Sequence, residues 1–151
     1  MCPTHKAEVI QRHNKIAQHF IQYVPRQWTV AYEQTFGNLK PDIVMRNTNT
    51  KKALIIDVKV CSDLHETYER NQREMEVKYE PIRRNLEREG LAASIQTLQF
   101  GVAGAAPTRT KSLLFHQLKF KPKHMRATIR KMTLMALESS RNVIAGHLGY
   151  K

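Results

Sequence analysis

The chain has 151 residues, enough for one domain with a real core and too few for two. Its apolar fraction of 41% and charged fraction of 25% exclude wholesale disorder. Against 13 Asp and Glu stand 25 Lys and Arg, a net charge of +12, so nucleic acid is the first partner to expect and an acidic membrane surface the second.

No run of about 18 apolar residues is present, so no membrane span is expected. The polar, periodic start MCPTHKAEVIQRHNKI predicts no secretory leader. Two cysteines, Cys2 and Cys61, are too few for a disulfide scaffold and suit a reducing compartment, cytosol or nucleus.

The first periodic segment, residues 5 to 23, predicts an amphipathic helix. Val9, His13, Ile16, Ala17, Phe20 and Ile21 recur at three- and four-residue steps on one face, with Thr4 as N-cap and Pro25 as the stop. WTVAYEQTF (28 to 36) and PDIVMR (41 to 46) then read as strands. The polar NTNTK reads as a hairpin loop, and KALIIDVKV (52 to 60) as a strand covered on both sides.

Asp63 and Glu66 have capping-box spacing, so a helix is expected to follow. Pro81 should break it after about Lys78 and start a second helix that closes at Gly90. A strand at 94 to 102, a small-residue loop AGAAPT, a short helical piece at 112 to 118 and a long helix from about Lys123 complete the chain. In that last helix Met125, Ile129, Met132 and Met135 read as core fillers. The order predicts a small α/β fold, a mixed β-sheet flanked by helices.

Pro41-Asp42 is followed, fifteen residues after the first acid, by Asp57-Val58-Lys59. Both acids fall on adjacent expected strands of one hairpin, and Asp57 and Lys59 emerge from the same face. Two carboxylates and an ammonium would then converge. Hard oxygen ligands of this kind suit Mg²⁺, with Mn²⁺ as a substitute, and a neighbouring lysine can orient or deprotonate a water. The plainer alternative is a hairpin with solvated charges, or a simple Asp57–Lys59 pair. His13 is either a hydrogen-bonded core histidine or a neighbour of the metal, and Glu33 either borders the site or is solvated.

These residues resemble the PD-(D/E)xK signature of restriction-like nucleases. Arg12-His13-Asn14, LKPDIV, ALIIDVKV, Lys78-Tyr79 with Pro81, LQFGVAGAAP and SRNVIAGHL, in that order, further resemble the restriction-like endonuclease domain of site-specific non-LTR retrotransposons. The resemblance covers nearly the whole chain as a single domain, 1–151. Residues 1–5, with Cys2 and His5, resemble the tail of an upstream zinc knuckle whose other ligands are absent, so no zinc site is expected.

The resemblance implies a restriction-endonuclease-like core and a nuclear enzyme that nicks DNA to prime reverse transcription, beside a reverse transcriptase domain of the parent polyprotein. It implies catalytic roles for Asp42, Asp57, Lys59, Lys78 and His13, and metal binding at Asp42, Asp57 and Val58. Many family members carry the lysine on the following helix. Here Lys59 and Lys78 are both present, and Lys59 is the expected catalytic one. Arg12, Arg109, Lys111, Lys121, Lys123, Arg126 and Arg130 are candidates for phosphate contact. Two alternatives stay open: a junction resolvase on the same fold, and a DNA-binding domain that cuts little. Target sequence and oligomeric state are not legible.

Overall fold

The computed structural model describes residues 3–61, 64–101 and 106–147, with side chains left out at 3–10, 12 and 138–147. Cys2 and Asp63, the first half of the AGAAPT loop, and the side chains of His5, Val9 and Arg12 therefore lie outside the described residues. Four strands form one sheet in the order β1 (Thr29–Tyr32), β2 (Ile43–Asn47), β3 (Lys52–Cys61), β4 (Ala92–Gly101). The first three pair antiparallel, and β4 pairs parallel with β3. Helices α1 (Pro3–Gln22), α2 (His65–Lys78), α3 (Glu80–Arg88), α4 (Thr108–Ser112) and α5 (Pro122–His147) surround it. The expected small α/β fold with a mixed sheet is the one observed.

Strand alternation assigns the two faces. Leu54, Ile56 and Val58 of β3 join Ile16, Ala17 and Phe20 of α1 and Met132 and Ala136 of α5 in one buried cluster. Ala53 and Ile55 join Met75, Tyr79, Ile82 and Leu86 of the α2–α3 side in the other. Asp57 is next in that second series, a carboxylate where the pattern calls for an apolar residue.

Several boundaries differ from the sequence expectation. Strand β1 ends at Tyr32, not Phe36, because Glu33 takes a left-handed backbone (φ 55°) that turns the chain out of the sheet. Asp42 stands one residue before β2 rather than within it. Leu64 occupies the N-cap of α2 without a side-chain cap bond. Pro81 breaks the helix as expected, and the break falls on Tyr79 (φ −100°, ψ 10°), which ends α2 and caps α3. The short helical piece at 112 to 118 becomes α4 followed by a π-type turn over Leu113–Gln117.

The outer edge of β4 is closed by side chains rather than by another strand. Gln72 donates to the Ile95 carbonyl at 2.7 Å and accepts from the Thr97 amide at 3.1 Å and hydroxyl at 2.8 Å. Farther along, the Thr110 hydroxyl accepts from the Gln99 amide at 3.1 Å and donates to its carbonyl at 2.7 Å. Two side chains thus occupy ladder positions and bind α2 and α4 to the sheet. Gln72→Leu would leave the Ile95 carbonyl and Thr97 amide buried without partners, at about 1–3 kcal/mol each. Urea unfolding of that variant should therefore show a loss of about 2–6 kcal/mol, well beyond that of an exposed substitution such as Glu74→Ala.

Candidate active site

The β2–β3 ladder runs from Asn47↔Lys52 to Ile43↔Ile56, so the next opposed pair is Asp42 and Asp57. There the carbonyl acceptors give way to carboxylates. The Asp42 amide donates to Asp57 Oδ1 at 3.2 Å, and the Val58 amide donates to Asp42 Oδ2 at 2.8 Å. On its other side Asp42 keeps the sheet's order, because its carbonyl accepts from the Glu33 amide at 2.8 Å. Glu33 thus serves the site through its backbone, and its side chain is exposed.

Two further groups close around the two acids. His13 reaches over from α1 and places Nε2 at 2.8 Å from Asp42 Oδ2. Its neighbour Asn14 accepts from the Tyr32 hydroxyl at 3.1 Å, which docks the same helical turn on β1. From the opposite face the Tyr79 hydroxyl donates to Asp57 Oδ1 at 3.2 Å. With Lys40, Val58, Lys59, Val60 and Lys78, these groups line an open cleft of about 330 Å³. Lys59 is half-buried beside Asp57; Lys78 is exposed, its ammonium 5.2 Å from the centre of the Tyr79 ring.

The two carboxyl groups lie close enough to share a proton, and they titrate apart. Burial, reinforced by the charge of Asp42, pushes Asp57 up to about 6, while Lys59 pulls the other way. Burial also opposes charge on Asp42, but the His13 and Val58 hydrogen bonds outweigh it and hold that carboxyl below its usual value. His13 is raised, chiefly by its hydrogen bond to Asp42. Tyr79 is raised by burial and by the Asp57 charge.

His13, Asp42, Asp57, Val58, Lys59 and Lys78 are therefore brought into one cleft. The candidate phosphate contacts are not. Arg109 pairs with Glu69 of α2 at 3.2 Å, and Lys111 is exposed on α4. Lys121, Lys123, Arg126 and Arg130 are exposed around the start of α5. That start lies beside Phe20, whose ring stacks on Phe120, about 10 Å along α1 from His13. Tyr79 and Lys40 are the cleft residues that periodicity alone did not single out as chemical. The signal for Tyr79 was the break set by Pro81, two residues on, which leaves Tyr79 between the two helices.

Among the described residues no group of three His, Cys, Asp or Glu side chains forms a metal cluster. Two carboxylates are nonetheless a sufficient protein contribution for Mg²⁺, which keeps waters and substrate oxygens for its other positions. A strand residue directs its carbonyl to the same side as its amide, so the Val58 carbonyl faces the same edge as Asp42. The donors present are chemically suited to a hard divalent cation.

Two measurements test these electrostatics. Because Asp57 holds its proton more tightly folded than unfolded, its ionisation opposes folding from about pH 3.8 upward, and the penalty is complete above about 6. Asp57→Asn should then raise stability by about 1–3 kcal/mol at pH 7.5, with the gain vanishing below pH 4. The His13 imidazole, followed by NMR, should titrate above its ordinary value and fall toward it in Asp42→Asn.

Set against known proteins, the sequence matches no family model and resembles no curated protein sequence.

Proposed function

We propose that this protein is a Mg²⁺-dependent DNA endonuclease that nicks duplex DNA in the cleft between Asp42 and Asp57. The observation that carries the reading is the opposition of these two carboxylates beside Lys59, with the second one destabilised in its charged form. Paired acids at a sheet end, Asp57 buried and Asp42 half-buried, cost a fold stability, whereas phosphodiester hydrolysis uses them. The order of motifs shared with the retrotransposon endonuclease domains supports the same reading. On that basis the substrate is nuclear target DNA, cut beside a reverse transcriptase domain.

When bound between these acids, Mg²⁺ supplies Lewis-acid polarisation of the scissile phosphate and a more acidic water. The residues of the chain do the rest. Asp42 and Asp57, with the Val58 carbonyl, would hold the cation. His13 and the Val58 amide fix the Asp42 carboxylate through Oδ2, and Tyr79 fixes Asp57 through Oδ1. Lys59 orients the attacking water and offsets the charge developing on the phosphate. Lys40 and Lys78, exposed at the rim, neutralise the flanking phosphates.

The test is nicking of supercoiled plasmid. With Mg²⁺ the chain should convert supercoiled to relaxed circles, and EDTA should abolish the conversion. Asp57→Asn and Lys59→Ala should each lose on the order of 10² or more in rate. Lys78→Ala should lose less than tenfold. Nicking that survives in Asp57→Asn removes the mechanism, and a larger loss in Lys78→Ala than in Lys59→Ala exchanges the two lysine roles.

A further inference from the structure

At the other end of β3 lies a second recess that the cleft chemistry does not use. The 47–52 turn, the Trp28 segment and the chain leaving the π-type turn meet there around two adjoining cavities of about 280 and 400 Å³. Trp28, the only tryptophan in the sequence, lines both, as do Lys52, Gln117 and Lys119. Both lysines are exposed, and no acidic residue lines either cavity among the described residues.

The backbone at Lys119 adds to this. It stands just past the π-type turn with φ 55°, where the Leu118 and Phe120 amides close back on Leu113 and Leu114. This is the position where glycine is favoured, because it alone enters the left-handed region without steric cost. The sequence keeps a lysine there, and so keeps a charge at the lip of the recess against the local conformational preference.

We propose that this groove binds a single strand of nucleic acid. Lys52 and Lys119 meet phosphates, while the amide side chains of Gln27, Asn49 and Gln117 offer paired donors and acceptors to a base edge. Each recess is of the size that takes one small ring system. A duplex keeps its base rings stacked and offers such a recess only backbone and groove edges, whereas an unstacked base can enter it. Single strands are the form the chemistry selects. The exposed Lys121, Lys123 and Arg126 extend the cationic surface beyond the groove. Lys52 and Asp57 are five residues apart on one strand, about 17 Å, or about five base steps. A strand released at the cleft lies within reach of the groove, yet the groove stands whether or not the cleft cuts DNA.

Trp28 supplies the test. The full chain in EDTA is titrated with an oligothymidylate of about ten nucleotides, and tryptophan emission is followed. A saturable change in emission is expected, with affinity falling as salt rises at a slope of about −1.4 for two phosphates. The double variant Lys52→Glu/Lys119→Glu should bind at least about tenfold more weakly. Lys119→Gly should bind more weakly and yet melt at a higher temperature, opposite shifts that a purely structural lysine would not give. A labelled oligonucleotide that binds by anisotropy without moving the emission overturns the proposal. So does equal affinity for a duplex of the same length, equal displacement by polyglutamate, or undiminished binding by the double variant. Plasmid nicking by Lys52→Glu/Lys119→Glu, measured in parallel, reports on the cleft alone.

Discussion

Two hydrogen bonds at the end of the β2–β3 ladder, Asp42 amide to Asp57 and Val58 amide to Asp42, organise the molecule's chemistry. Each aspartate accepts from backbone beside the other, so the carboxylates continue the sheet where peptide carbonyls would ordinarily do so. A charge-assisted bond to a backbone amide is among the stronger hydrogen bonds available, about 1.5–3 kcal/mol. That strength holds together two groups whose charges repel. The repulsion is not relieved inside the fold: it adds to burial, the larger cause, in pushing the Asp57 carboxyl up to about 6. Stability is surrendered at this point, and the surrounding structure has to make it up.

The surroundings are suited to that. Strand β3 carries buried apolar residues from Ala53 to Ile56 and clamps the sheet between two clusters of side chains. Its two flanking helical layers each send one polar group to the acids, His13 from one face and Tyr79 from the other. The Gln72 and Thr110 contacts to β4 keep the α2–α4 layer in register with the sheet. They thereby fix the segment that ends in Lys78 and Tyr79. A site assembled from rigid strands and braced from both sides holds its geometry better than one built on loops.

The sequence makes the succession of strands along the chain and the acid pair legible for one reason. Both rest on period: an apolar run of strand length, and acids spaced so that an antiparallel hairpin must oppose them. His13 was legible as an oddity on an otherwise apolar helical stripe. What period could not supply was any feature set by a single residue's backbone. Glu33 and Lys119 adopt left-handed conformations that their side chains do not announce. Gln72 reads as one polar residue among many in HETYERNQREMEVK, and only the bare edge of β4 gives it a role. The turn chemistry at Asn47, whose side chain accepts from the Asn49 and Thr50 amides, was by contrast visible as a polar run.

The distribution of charge separates binding from chemistry. A net +12 spread evenly would raise the potential everywhere and favour no site. Here Lys40, Lys59 and Lys78 stand at the cleft, while Lys52 and Lys119 stand at the opposite end of the sheet, with Lys121, Lys123 and Arg126 following Lys119 along the chain. At physiological ionic strength exposed charges more than about 8 Å apart are largely screened from each other. Lys52, about 17 Å from Asp57 along β3, therefore contributes little to the field at the acid pair. What it can contribute is retention: each phosphate it neutralises adds affinity and salt dependence without altering the reacting geometry. In the proposed reading, holding and cutting fall to opposite ends of one strand, and substitutions at one end act on the other only through the fold they share.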